Sequence, residues 1–148
     1  MRRKSTGVTA VELALLLPVL MALVLGMLEF GRAIYHYDQL VQRVRQSARY
    51  LCTGQPDDAQ RQQAARNIIL FGNPQGAGSE AVPGVTAGMI RILEPVNDAG
   101  VRQIATGQGT VSLVNVSIQG YQYTPLIWPA MPFMRYAPIS VTMPFVFF

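Results

Sequence analysis

No charged residue stands between Leu13 and Leu28. This run constrains the fold more than any other feature, because about 20 apolar residues in helical form are what a bilayer crossing requires. Val8 to Leu28 has that length, and Leu13, Leu16, Leu20, Leu23 and Leu28 are its expected transmembrane leucines. One carboxylate, Glu12, sits at its head, behind the basic start Met1-Arg2-Arg3-Lys4-Ser5-Thr6-Gly7. A carboxylate in hydrocarbon costs on the order of 2.5–3.5 kcal/mol, so Glu12 asks for a partner or a use.

A secretory signal peptide shares the basic start. Its apolar core is about 7–15 residues long and ends at a small-residue cleavage site. Here Glu12 interrupts the apolar run, the run continues too far, and Ala22-Leu23-Val24-Leu25-Gly26 makes a poor cleavage site. Length and flanks therefore favour a retained transmembrane helix. Pro18 lies inside it and removes the hydrogen bond to Ala14, so a bend or loosened turn is expected there. Two readings of Pro18 stand: a tolerated membrane proline, or a kink that packs against other helices.

The chain has 148 residues, enough for one modest domain or a small domain on a stalk. Twelve basic residues face eight acidic ones, but Arg2, Arg3 and Lys4 all lie before Gly7. Without them nine face eight. The basic excess is thus topological, holding the N-terminus in the cytoplasm by the positive-inside rule. No basic stripe with interleaved aromatics follows, and nucleic acid is not an expected partner. The single cysteine, Cys52, excludes an internal disulfide and reads as a small buried hydrophobe near a helix end. One histidine, one cysteine and no clustered acids outside a helix start assemble neither a nucleophile–base pair nor a metal site. No enzyme activity, cofactor or metal is expected.

The helical period survives the end of the apolar run. Phe30, Ile34, Tyr37, Val41, Val44, Ala48 and Leu51 recur at spacings of four and three, an apolar seam of about three heptads. Glu29 and Arg32 fall among the polar positions. Tyr35, His36 and Tyr37 read as residues just above the membrane surface. The first stop is Thr53-Gly54-Gln55-Pro56, so a helix from Val8 to Leu51 would run roughly 66 Å at ~1.5 Å per residue. The seam needs cover, from the chain's own C-terminal part or from another subunit.

Asp57 to Phe71 predicts a second helix, with acidic residues in its first turn and Gly72 and Pro74 beyond its end. Gly76-Ala77-Gly78-Ser79-Glu80-Ala81 follows a helix rather than a strand, so it is not a nucleotide loop. Three strands are expected, at 89–93, 110–118 and 139–143, the last with a run-on past Pro144. Tyr121 to Pro138 shows no period and reads as a long loop, with Trp128 and Phe133 in a candidate contact surface. Two helices followed by strands make an α+β fold with a small antiparallel sheet beside the long helix.

The chain's start resembles a known family. A charged leader ending in glycine, then Val8-Thr9-Ala10-Val11 and Glu12 as the fifth residue after Gly7, is the pattern of type IV prepilins and pseudopilins. Ala10-Val11-Glu12-Leu13-Ala14-Leu15-Leu16-Leu17-Pro18 and Gly26-Met27-Leu28-Glu29-Phe30-Gly31-Arg32-Ala33 narrow the resemblance to the TadE-like family, minor pseudopilins of the Tad/Flp pilus. It is dense over the first third and faint beyond Cys52. Leu13 departs from the phenylalanine common after the glutamate.

The resemblance implies a pilin-like structural subunit. Residues 1–7 would be a leader cut by a prepilin peptidase between Gly7 and Val8. Residues 8–28 would span the bacterial inner membrane, 29–52 would continue the helix into the periplasm, and 53–148 would form a small α+β domain. The implied partners are the peptidase, other pilins and pseudopilins, and the inner-membrane assembly platform. The implied destination is that membrane or an extracellular pilus. Glu12 would neutralise the new α-amine, and Glu12 and Pro18 would serve assembly. The alternative is an unprocessed single-pass protein whose periplasmic domain binds a partner or ligand.

Overall fold

The computed structural model describes residues 6–55, 58–94, 104–106, 109–126 and 134–145. α1 (Thr6–Cys52) is one continuous helix of 47 residues that carries Pro18 without a break. At ~1.5 Å per residue it is roughly 70 Å long. It is longer than a membrane span, and its two halves are built differently. No residue of its most apolar window is buried inside the protein. Ala33, Leu40, Val44, Ala48 and Leu51, farther along, are all in the core.

α2 (Ala59–Phe71) is capped at both ends by its own sequence. The Asp58 carboxylate accepts from the Gln60 and Arg61 backbone N–H groups, two of the donors a helix start leaves open. Gly72 closes the far end at φ +82°, where a side chain would be strained, and its N–H donates to the Ile68 carbonyl. The expected start at Asp57 lies outside the described residues, and Asp58 is the cap. α2 lies on α1 where both faces are small, with Ala48 against the Ala65 side. Ser47 Oγ donates to the Ala65 carbonyl at 3.0 Å. Arg61 ties the intervening turn by donating to the Tyr50 carbonyl at 2.6 Å, its guanidinium 4.8 Å from the Tyr50 ring.

A short 3-10 turn leads into β1 (Ile90–Leu93). β2 (Ile104–Thr106) and β3 (Gly109–Val111) pair as a hairpin, and β4 (Leu113–Ile118) follows. β5 (Gln122–Tyr123) and β6 (Met134–Arg135) form a second small ladder, and β7 (Ile139–Pro144) ends the described fold. The main sheet has the antiparallel order β1-β4-β7, with Ile118 opposite both Ile90 and Ile139.

Alternation divides that sheet by face. Val114, Val116 and Ile118 point into the core with Ile90 and Ile139. On the opposite face the Asn115 amide donates to Ser140 and Thr142 on β7, at 2.9 and 2.8 Å. The core is therefore a sandwich of sheet, α1 and α2, completed by Tyr121, Tyr123 and Phe145. This is the expected α+β layout.

Three local expectations are corrected. The strand expected over 110–118 is divided at Ser112, whose carbonyl accepts from Phe145 N–H. Ile104–Thr106 is a strand that carried no strong alternation of its own. The stretch from Tyr121 is not simply a loop, since Gln122–Tyr123 pairs with Met134–Arg135. β7 ends at Pro144, and residues 146–148 of the expected run-on lie outside the described residues.

Candidate functional site

The first part of α1 presents apolar side chains on every side. Val8, Val11, Leu13, Leu16, Leu20, Leu23 and Leu28 are all exposed, and nothing in the protein covers them. A soluble protein does not display such a surface without a partner, and a helix apolar all round belongs in a membrane or between other helices. Glu12 is exposed within this surface. Gly7 and Val8 occupy the first turn of α1, so a cut between them would remove only two residues of the helix.

Beyond Leu28 the helix meets the rest of the protein at a collar of polar and aromatic groups. Glu29 is only 5 % exposed. Its carboxylate accepts the Tyr123 hydroxyl and, at 3.1 Å, the Leu126 backbone N–H. One turn on, the Tyr136 hydroxyl donates to the Ala33 carbonyl at 2.6 Å. The His36 ring stands edge-on to Tyr123 at 5.5 Å, and Tyr37 stands edge-on to Tyr136 at 5.4 Å. Arg32 lies 5.7 Å from the centre of the Tyr123 ring. Tyr121 packs on Tyr136 and donates its hydroxyl to the Pro83 carbonyl.

These contacts fasten the β5–β6 ladder to α1 across a sequence distance of about 100 residues. The ladder itself is two residues deep and would not stand alone in water. The Glu29 bond is the strongest single tie, since hydrogen bonds to a charged group contribute about 1.5–3 kcal/mol. Burial, and then the hydrogen bond to Glu29, push the Tyr123 phenol up to about 12. Burial, with the neighbouring Tyr121, pushes Tyr136 up to about 12 as well. Both phenols thus keep the protons they donate to α1. Burial, and then the Arg32 charge, lower His36 from its ordinary value, against the opposing pull of Glu29.

The expected seam divides at this collar. Val44, Ala48 and Leu51 are buried and Val41 is half-buried, whereas Phe30, Ile34 and Tyr37 are exposed. In place of those three the inward stripe is Glu29, Ala33 and His36, running on through Leu40 to Val44. The two stripes lie one residue apart, and greater hydrophobicity pointed to the wrong one. Glu29 faces inward because the Tyr123 hydroxyl and the Leu126 N–H opposite supply donors, which leaves the larger apolar side chains facing out.

Sequence reasoning therefore missed Glu29, Ala33, Tyr123 and Tyr136 as one site. The available signal was a carboxylate in the same period as Ala33, Leu40 and Val44. His36 belongs to the collar and is half-buried. Trp128 and Phe133 lie outside the described residues, and the neighbouring Leu126 is exposed. Burial raises the Cys52 thiol above its ordinary value, away from the range of a reactive thiolate. Among the described residues no cluster of His, Cys, Asp or Glu could hold a metal.

The model of the family described as TadE-like protein matches residues 7–49. Over that segment the chain is similar to TadE-like proteins. The matched segment begins at Gly7, includes Glu12 and the whole apolar surface, and runs through Glu29, Arg32 and His36. It stops before α2 and the sheet, where the fold alone speaks. No curated protein and no solved structure matches the chain. Beyond the TadE-like similarity, α1 is long and apolar enough, by length and composition, to cross a membrane.

Proposed function

We propose that this protein is a minor pseudopilin, a structural subunit used in assembling a Tad/Flp-type pilus. A prepilin peptidase removes residues 1–7. α1 holds the subunit in the inner membrane with its N-terminus cytoplasmic and its folded head periplasmic. From there the subunit joins other pilins or the assembly platform through the exposed side of the helix. The observation that supports this reading is the similarity of residues 7–49 to the TadE-like family, a segment in which Glu12 is the fifth residue after Gly7.

The chemistry follows from that register. Cleavage creates an α-amine at Val8, one helical turn from Glu12. In a low-dielectric helix bundle the two opposite charges cost less together than apart, and removing either leaves an uncompensated charge. Glu12 serves as a register device, pairing with the amine of its own or a neighbouring subunit. Pro18 lets the helix bend where it packs.

Mass spectrometry of the protein from its native membrane tests the processing step. A mature chain starting at Val8 is the expected result. An intact Met1 in cells that still assemble pili would overturn it and favour the unprocessed anchor. A start near Met27 would make the apolar run a signal peptide.

A further inference from the structure

Above the membrane end of α1 there is a cleft of about 100 Å³, with Arg32 and His36 on one side and Tyr121, Tyr123, Thr124 and Gly84 on the other. Collar residues wall it, and the pilin-like reading gives it no role. At ~30 Å³ per water it has room for about three waters, the size class of a tetrahedral oxyanion.

Its charge is suited to an anion. Arg32 lies over the Tyr123 ring, 5.7 Å from its centre, and its charge acts on His36. His36 has a buried Nδ1 with no hydrogen-bond partner. The nearest acidic group, Glu29, does not line the cleft, and its carboxylate is turned to the Tyr123 hydroxyl and the Leu126 N–H. The phenols of Tyr121 and Tyr123 are protonated and engaged elsewhere. The remaining polar group of the wall, Thr124, supplies a hydroxyl.

Height above the membrane selects the ligand. Arg32 lies four residues past Leu28, about 6 Å along the helix, and His36 about 12 Å. The headgroup layer on each side of the ~30 Å hydrocarbon core is about 5–8 Å thick. Helical side chains also lean toward the N-terminus, which here means toward the bilayer. We propose that this cleft takes the phosphate group of a membrane phospholipid, between Arg32, His36 and Thr124, seating the head on the bilayer surface from which α1 emerges.

The proposal rests on α1 spanning the membrane but not on leader cleavage. His36 is the sole histidine of the chain, so its imidazole nitrogens can be followed by NMR in the full-length protein. In maltoside micelles, which contain no phosphate, burial and the Arg32 charge should hold His36 below its ordinary value. In phosphatidylcholine nanodiscs the bound phosphate should raise its midpoint by about half a pH unit or more, since an adjacent anion favours imidazolium. Arg45→Gln, on the exposed side of the same helix, should keep that rise. Arg32→Gln should abolish it, and Arg32→Lys, which preserves the charge, should retain it.

An equal rise in Arg32→Gln, or none in the wild type, overturns the site. A rise produced fully by millimolar inorganic phosphate in micelles, with no more in nanodiscs, overturns the lipid as the source and leaves a free phosphate in its place. Failure of the folded chain to enter nanodiscs would instead overturn the membrane span itself, and the lipid with it.

Discussion

Glu12 and Glu29 bracket the apolar run and are held in opposite ways. Glu12 has no cover from its own fold, and Glu29 is enclosed by a tyrosine hydroxyl and a backbone N–H. Glu12→Ala should therefore leave insertion and folding intact while blocking incorporation into pili. Membrane fractionation and pilus counts check this, and normal pilus output would count against the pairing role. Glu29→Gln and Tyr123→Phe should each destabilise the head, with a coupling of about 1.5–3 kcal/mol in a double-mutant cycle. A coupling near zero in denaturant titrations of the detergent-solubilised protein would show that the bond adds no stability. The phenols make a pH prediction as well. Tyr123 titrates near 10 when unfolded and is pushed up to about 12 when folded. Its contribution is complete below pH 10 and is lost as pH rises through about 12. Alkaline unfolding should begin in that window, and Tyr123→Phe should flatten it.

Among the elements, α2 owes its ends to single residues and its position to small ones. Asp58→Ala removes an acceptor for two open N–H groups and should cost about 0.5–2 kcal/mol of stability. Ala65→Leu should cost more than the usual surface change, about 1–3 kcal/mol, by forcing α2 away from Ser47 and Ala48 on α1. Thermal denaturation of the full chain in detergent ranks the two. At this scale much was legible in the chain. Asp58 and Gly72 announce the ends of α2, and the alternation of Val114, Val116 and Ile118 against Asn115 and Ser140 announces an antiparallel sheet with one wet face. The β5–β6 ladder was not legible. Its two-residue strands carry no period, and they exist because Tyr123 and Tyr136 find acceptors and rings on a helix far away in sequence.

The molecule as a whole has its folded head at one end and an uncovered helix at the other. Since nothing from Val8 to Leu20 is buried, a chain beginning at Leu28 should keep its near-ultraviolet circular dichroism and lose its need for detergent. Loss of tertiary signal in that truncation would mean that the apolar helix helps to hold the head together. The membrane-length run, the site of Glu12 and the end of α1 near Cys52 were determined by sequence alone, because hydropathy, charge and stop signals are local properties. Which side of α1 turns inward was decided only by the tertiary structure. Two stripes one residue apart compete between Glu29 and Leu40, and their apolar content favours Phe30, Ile34 and Tyr37. The choice fell to the stripe carrying Glu29 because a buried carboxylate is tolerable only where donors surround it, and those donors come from the opposite end of the chain.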